Sequence, residues 1–174
     1  MKLLGSKDVF AFEYSILNIE EGILKLYVCG NSLCTYVKNN QIYEYRGRIK
    51  TLAEWFDRNL HSIIEEDKFP LNVDGSTGIE LYNNSSDVDL ENEEELFRWY
   101  ELRQNWYFKH SWYSEREGSY LADLIFRRFN NEIEISWNNT HLYKDVKFLN
   151  PRGVVYINKN IFINTITKFI NEFK

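Results

Sequence analysis

Apolar residues alternate with polar ones at a spacing of two in two separate blocks of this chain, and a stretch of helical periodicity stands between them. In the first block Phe10, Phe12, Tyr14 and Ile16 alternate with Ala11, Glu13 and Ser15, the pattern of a half-buried strand. Glu20-Glu21-Gly22 marks a turn, and Leu24, Leu26 and Val28 resume the alternation. Residues 33–37 and 42–46 are joined by Lys38-Asn39-Asn40-Gln41, a hairpin link, so the block predicts four antiparallel strands in a meander. In the second block Trp106, Phe108, His110 and Trp112 alternate with Tyr107, Lys109, Ser111 and Tyr113. Residues 124–129 and 132–137 then flank Asn130-Asn131, a two-residue link of the type I′ kind. A last pair, 146–148 and 154–157, brackets Pro151-Arg152-Gly153. Hairpin-length links tie neighbouring strands antiparallel and leave no room for the crossovers of a parallel sheet.

Three helices complete the pattern, at 51–66, 92–104 and 159–172. Thr51-Leu52-Ala53-Glu54 reads as a capping box, and Leu52, Trp55, Phe56, Leu60, Ile63 and Ile64 form one apolar face behind it. Asn92 caps the second helix, with Glu93, Glu94 and Glu95 in its first turn, where the helix dipole favours negative charge. Asn160 caps the third, whose buried face is Phe162, Ile166, Phe169, Ile170 and Phe173. Residues 71–90 carry Gly75, Gly78, Asn83-Asn84 and Ser85-Ser86 and read as a loop. The expected fold is one α+β domain over residues 1–174, with antiparallel sheet. A chain of 174 residues is long enough to bury a core of its own.

No apolar run approaches the ~20 residues that span a bilayer, and Met1 to Asp8 turns polar before a signal-like stretch develops. The expected place is therefore the cytoplasm. Cys29 and Cys34, the only cysteines, are too few for a structural zinc site and are expected to be reduced. Phosphate-binding glycine motifs, the H-E-x-x-H pair and the G-x-S-x-G elbow are all missing, so no enzyme, cofactor or metal is expected. His110 stands out among the three histidines because it shares its strand pattern with Trp106 and Trp112. It reads either as a base or recognition residue in an aromatic cleft, or as a ring that fills core space. Arg127 or Arg128 can face Glu132 or Glu134 across the Asn130-Asn131 hairpin, as a structural pair or as a presented guanidinium.

Charge is distributed very unevenly. Residues 65–101 hold 12 acids against Lys68 and Arg98, a net of −10, while the remainder holds 14 acids against 19 bases, a net of +5. The peak is Asp87, Asp89, Glu91, Glu93, Glu94 and Glu95, with no base among them. Such a segment repels nucleic acid and attracts basic protein surfaces, raising the rate of encounter with them. Aromatic content of 17% either leaves rings for contact, among them Tyr82, Phe97 and Trp99 beside the acids, or reflects a composition bias that fills the core with Phe and Tyr where other chains use Leu and Val.

The blocks W-Y-F-K-H-S-W at 106–112, G-S-Y-L-A-D-L-I-F-R-R-F at 118–129 and I-E-I-S-W at 133–137 resemble a poorly characterised group of bacterial domains. T-L-A-E-W-F-D-R-N-L at 51–60, with Phe69-Pro70, resembles the same group. The whole chain also resembles the immunity proteins that accompany polymorphic and contact-dependent growth-inhibition toxins, which are small, acidic, cytosolic α+β proteins without motifs. That resemblance implies a cognate toxin, through its C-terminal toxin domain, as the partner, bound one to one and blocked at its active or substrate-binding surface. No nucleic acid or membrane partner is implied. The other reading is a ligand-sensing or accessory domain of a bacterial defence system, with Trp106, His110, Trp112 and Arg127 lining a pocket.

Overall fold

A computed structural model describes residues 1–19, 21–66 and 68–174, so Glu20 of the expected turn and Asp67 of the acidic segment lie outside the described residues. The architecture is α+β, with two antiparallel sheets of seven and three strands and four α-helices among the described residues. Strand β1 (Lys2–Ser6) pairs β2 (Phe10–Ile16), which pairs β3 (Gly22–Val28). The register sets Phe10 opposite Val28, Phe12 opposite Leu26 and Tyr14 opposite Leu24, so one face of this hairpin is wholly apolar. The chain then turns through Cys29 and Gly30, both at positive φ, into β4 (Asn31–Ser32). Strands β5 (Thr35–Lys38) and β6 (Gln41–Gly47) form the expected hairpin around Asn39 and Asn40, both in the left-handed region.

The expected meander is corrected at this point. β6, not β5, lies next to β3, because one edge of β3 is shared: β4 pairs its Tyr27–Val28 end and β6 its Gly22–Leu24 end. Strand β9 (Lys147–Phe148) closes the sheet beside β5, giving the order β1-β2-β3-β6-β5-β9. In the second sheet β7 (Ile125–Phe129) and β8 (Glu132–Asn138) make the Asn130-Asn131 hairpin, and β10 (Arg152–Asn158) pairs the far side of β8. The expected hairpin around Pro151 does not form, since its two strands go to different sheets.

Helices α1 (Ile49–Glu65) and α4 (Lys159–Asn171) lie between the sheets. Phe169 stacks on Phe12 of the large sheet at 4.1 Å, and Phe56 of α1 meets Phe12 edge-on at 5.9 Å. On the other side Phe56 and Phe162 contact Phe126 of the small sheet at 5.3 and 6.1 Å. This aromatic layer is where burial does most of its work, at ~25 cal/mol per Å² of apolar surface withdrawn from water. α4 is capped by Asn158, whose side chain accepts from the Asn160 and Ile161 amides, two residues before the expected cap. α1 starts at Ile49 with no side-chain cap, so Thr51 and Glu54 form no capping box. Burial of Ile49 against Gly22 extends the helix past that signal.

Two further helices cover the outer face of the small sheet. Within the expected loop, α2 (Gly78–Asn84) carries the capping box instead, with Thr77 and Glu80 as its two partners. α3 (Glu93–His110) begins at the expected Asn92 cap but runs six residues past 104 and absorbs most of the expected strand at 106–113. Arg103, Trp106, Tyr107 and His110 are its buried residues, a helical spacing of three and four, whereas Phe108 faces out. The alternation of large residues there imitates a strand, and packing against β7 and α2 selects the helix. A 3₁₀ turn, Trp112–Arg116, follows and returns the chain to the core through fully buried Trp112.

Candidate partner-binding site

The six acids of the charge peak sit in the connection from α2 to α3 and in the first turn of α3. Asp87, Asp89, Glu91, Glu93, Glu94 and Glu95 are all exposed, and among the described residues none makes an ion pair. Asn92 holds the helix start by accepting from the Glu94 and Glu95 amides at 2.9 and 3.2 Å. The dipole of α3 favours the three glutamates at its N-terminus. It does nothing for Asp87, Asp89 and Glu91, which lie before the helix and repel one another and it.

The ridge that follows is half anchored and half bare. Arg103 donates to Ser85 Oγ at 2.9 Å and to the Tyr82 carbonyl at 3.1 Å, and its guanidinium lies 3.8 Å from the Tyr82 ring centroid. Tyr82 stacks in turn on Tyr107 at 4.2 Å. Trp99 donates its indole N–H to the Ser85 carbonyl at 2.9 Å. Tyr82 and Trp99 are thus half-buried fasteners between α2 and α3, while Phe97, 72% exposed, is free for contact. Along the same face, at helical intervals from Phe97, come Glu101, Gln104 and Phe108, the last 51% exposed, with exposed Tyr100 beside them. Tyr100 and Phe108 are exposed rings on this face that the sequence reading did not place among the candidates for contact. The signal for Phe108 was present as the four-three-four spacing 97–101–104–108, hidden by ending the helix at 104.

Trp106, His110, Trp112 and Arg127 are all buried and do not share one pocket. Trp112 belongs to the central core, edge-on to Phe56 and Phe126, with its N–H on the Ala122 carbonyl at 2.8 Å. Trp106 belongs to a separate outer cluster with Ile79, Tyr107 and Ile125. His110, with no exposed surface, stacks on Trp106 at 4.4 Å and donates from Nδ1 to the Trp106 carbonyl at 2.8 Å. Its Nε2 has no hydrogen-bond partner and lies 3.9 Å from a Glu66 carboxylate oxygen. Burial pushes its pKa down to about 4, which keeps the imidazole neutral. Arg127 pairs with Glu134, directly opposite on β8, through Nε at 3.0 Å and Nη2 at 2.6 Å. Five surface hollows of about 190 to 410 Å³ are lined by other residues.

The cysteines are unpaired: Cys29 is exposed, and burial pushes the Cys34 thiol up to about 12. Among the described residues no group of three or more His, Cys, Asp or Glu side chains is placed to hold a metal, and no helix is long and apolar enough to cross a membrane. Compared with protein-family models, with curated proteins and with solved structures, the chain matches none.

Proposed function

We propose that this protein is an immunity-type inhibitor that binds the toxin domain of a cognate bacterial toxin in the cytoplasm, one toxin domain per chain, and covers its active or substrate-binding surface. The observation that carries the reading is the ridge itself: six unpaired exposed acids leading into a helix that bares Phe97, Tyr100 and Phe108 along one side. Acids speed and orient the encounter with a basic surface, and exposed aromatic rings hold it once docked. A toxin that cleaves nucleic acid has such a basic cleft, and the acidic segment would meet it as the substrate's phosphates do. The chain would then act by occupation and not by chemistry. Burial of His110 and Arg127 supports this over a pocket for a small ligand.

Co-expression tests it in bacteria. A toxin domain encoded beside this chain's gene is expected to arrest growth, the wild-type chain to restore it, and the chain with Phe97→Asp and Phe108→Asp to fail to restore it. Both substitutions are at exposed positions and leave the fold intact, as circular dichroism checks. Growth that stays arrested with the wild-type chain, or is restored equally by the variant, overturns the reading.

A further inference from the structure

We propose that two copies of this chain pair through β10, edge to edge and antiparallel, to make one continuous six-stranded sheet from their two small sheets. β10 is an edge strand of seven residues, and among the described residues its outer edge has no backbone or side-chain partner. The other sheet edges are shorter. β9 is two residues long, β1 is five residues long and twisted at Gly5 (φ 94°), and β7, also five residues, is bridged at its first residue, Ile125, by Ser111. β10 holds no proline, no bulge and no inward charge, and its one charged residue, Arg152, stands at its end.

The sequence of β10 is complementary to itself. A two-fold axis perpendicular to the sheet, midway between Val155 and its copy, pairs all seven residues and keeps outer face with outer face. It sets Val154 against Tyr156 of the second copy, both 40% exposed in the single chain, and Gly153 against Ile157. That tyrosine then stands at the mouth of the hollow of about 410 Å³ that Val154, Ile79, Asn83 and Arg152 help to line. Arg152 falls opposite Asn158 of the second copy, so no like charges face one another across the join. Behind that Asn158, on β8 of the second copy, lies its register partner Glu132. Arg152 and Glu132 are exposed, and neither has an ion-pair partner among the described residues. Two strand spacings separate them in the pair, about 10 Å between backbones, which an arginine and a glutamate reach across together. The dyad therefore joins two unpaired charges at each end of the strand.

Sedimentation equilibrium of the full chain over a concentration series tests this. The expected mass rises from the 21.0 kDa of one chain to twice that value. Val154→Lys with Tyr156→Lys sets lysine against lysine at both places and raises the dimer dissociation constant at least about tenfold. Arg152→Glu weakens the dimer about tenfold as well, and adding Glu132→Arg to it restores the pairing, because the charges are exchanged and not removed. Circular dichroism checks each fold; should the lysine variant unfold, the charge exchange decides alone. A one-chain mass at every concentration overturns the proposal. So does a dimer that the lysine variant leaves unchanged, or one that the charge exchange fails to restore.

Discussion

Glu134 has no exposed surface, yet three donors meet its carboxylate: Arg127 Nε at 3.0 Å, Arg127 Nη2 at 2.6 Å and the Gly78 amide at 2.6 Å. Taking one partner from a buried pair strands the other in a medium that solvates it badly. Glu134→Ala is expected to cost about 3–5 kcal/mol in urea unfolding, while Arg127→Met with Glu134→Leu together costs less, about 1–3 kcal/mol, because no charge is stranded and the buried Gly78 amide is the main group left without its acceptor. A single-variant loss no larger than that of an exposed pair contradicts this account. The pairing itself is legible in the sequence, because a two-residue link at Asn130-Asn131 sets Arg127 opposite Glu134. The third donor comes from a residue 56 positions away and has no local signal. His110 supplies a second test. With its folded pKa near 4 against an ordinary 6.5, the unfolded chain takes up a proton that the folded chain refuses. Its effect is absent above pH 6.5, and stability is lost as pH falls from there toward 4. Relative to His110→Gln, the wild type is expected to lose about 2 kcal/mol more between pH 6.5 and 4.5. Parallel stability curves for the two proteins would show that the imidazole is not buried neutral. Sequence marked His110 as notable but placed it on a strand, since large residues at 106, 108, 110 and 112 imitate alternation.

The seven-residue α2 is too short to hold its shape alone and depends on what it docks against. Its Gly78 and Ile79 amides donate to Glu134 and to Ser136 Oγ at 2.6 and 3.1 Å, so the small sheet caps the helix. A methyl group at Gly78 would meet Ile125 Cγ2 at 2.8 Å and hold helix and sheet apart. Gly78→Ala is expected to cost about 1–3 kcal/mol, and Thr77→Ala about 1 kcal/mol through the lost cap. Hydrogen exchange reads both: protection of residues 78–84 falls in each variant, and more in Gly78→Ala. Unchanged protection in Gly78→Ala would show that α2 is held by something else. Both Thr51…Glu54 and Thr77…Glu80 have capping-box spacing, and only the second is used. Burial of Ile49 overrides the first, and the sheet below supplies the second, so tertiary contact decides where local chemistry offers two starts. Hairpins are legible where their turns are local, as at Asn39-Asn40 and Asn130-Asn131. The insertion of β6 between β3 and β5 is not, because it depends on β4 and β6 sharing one strand edge.

The molecule concentrates negative charge where it bares aromatic surface. A net of −10 over residues 65–101 against +5 elsewhere can be counted directly, and the exposure of all six peak acids agrees with the count. The sorting of the nearby rings could not be counted: Tyr82 and Trp99 fasten α3 to α2, and Phe97 and Phe108 are left outside. Unpaired charge in this density destabilises the free chain, and on the proposed function a basic partner surface would relieve that repulsion. Reversal of charge should therefore act on the encounter more than on the fold. On the proposed function the direct measurement is the association rate with a cognate toxin domain, at low and at high salt, for wild type and for Asp87→Lys with Asp89→Lys and Glu91→Lys. Reversal is expected to slow association at least about tenfold at low salt and to flatten its salt dependence. An association rate and salt dependence unchanged by the reversal would contradict the assignment of this ridge as the docking surface.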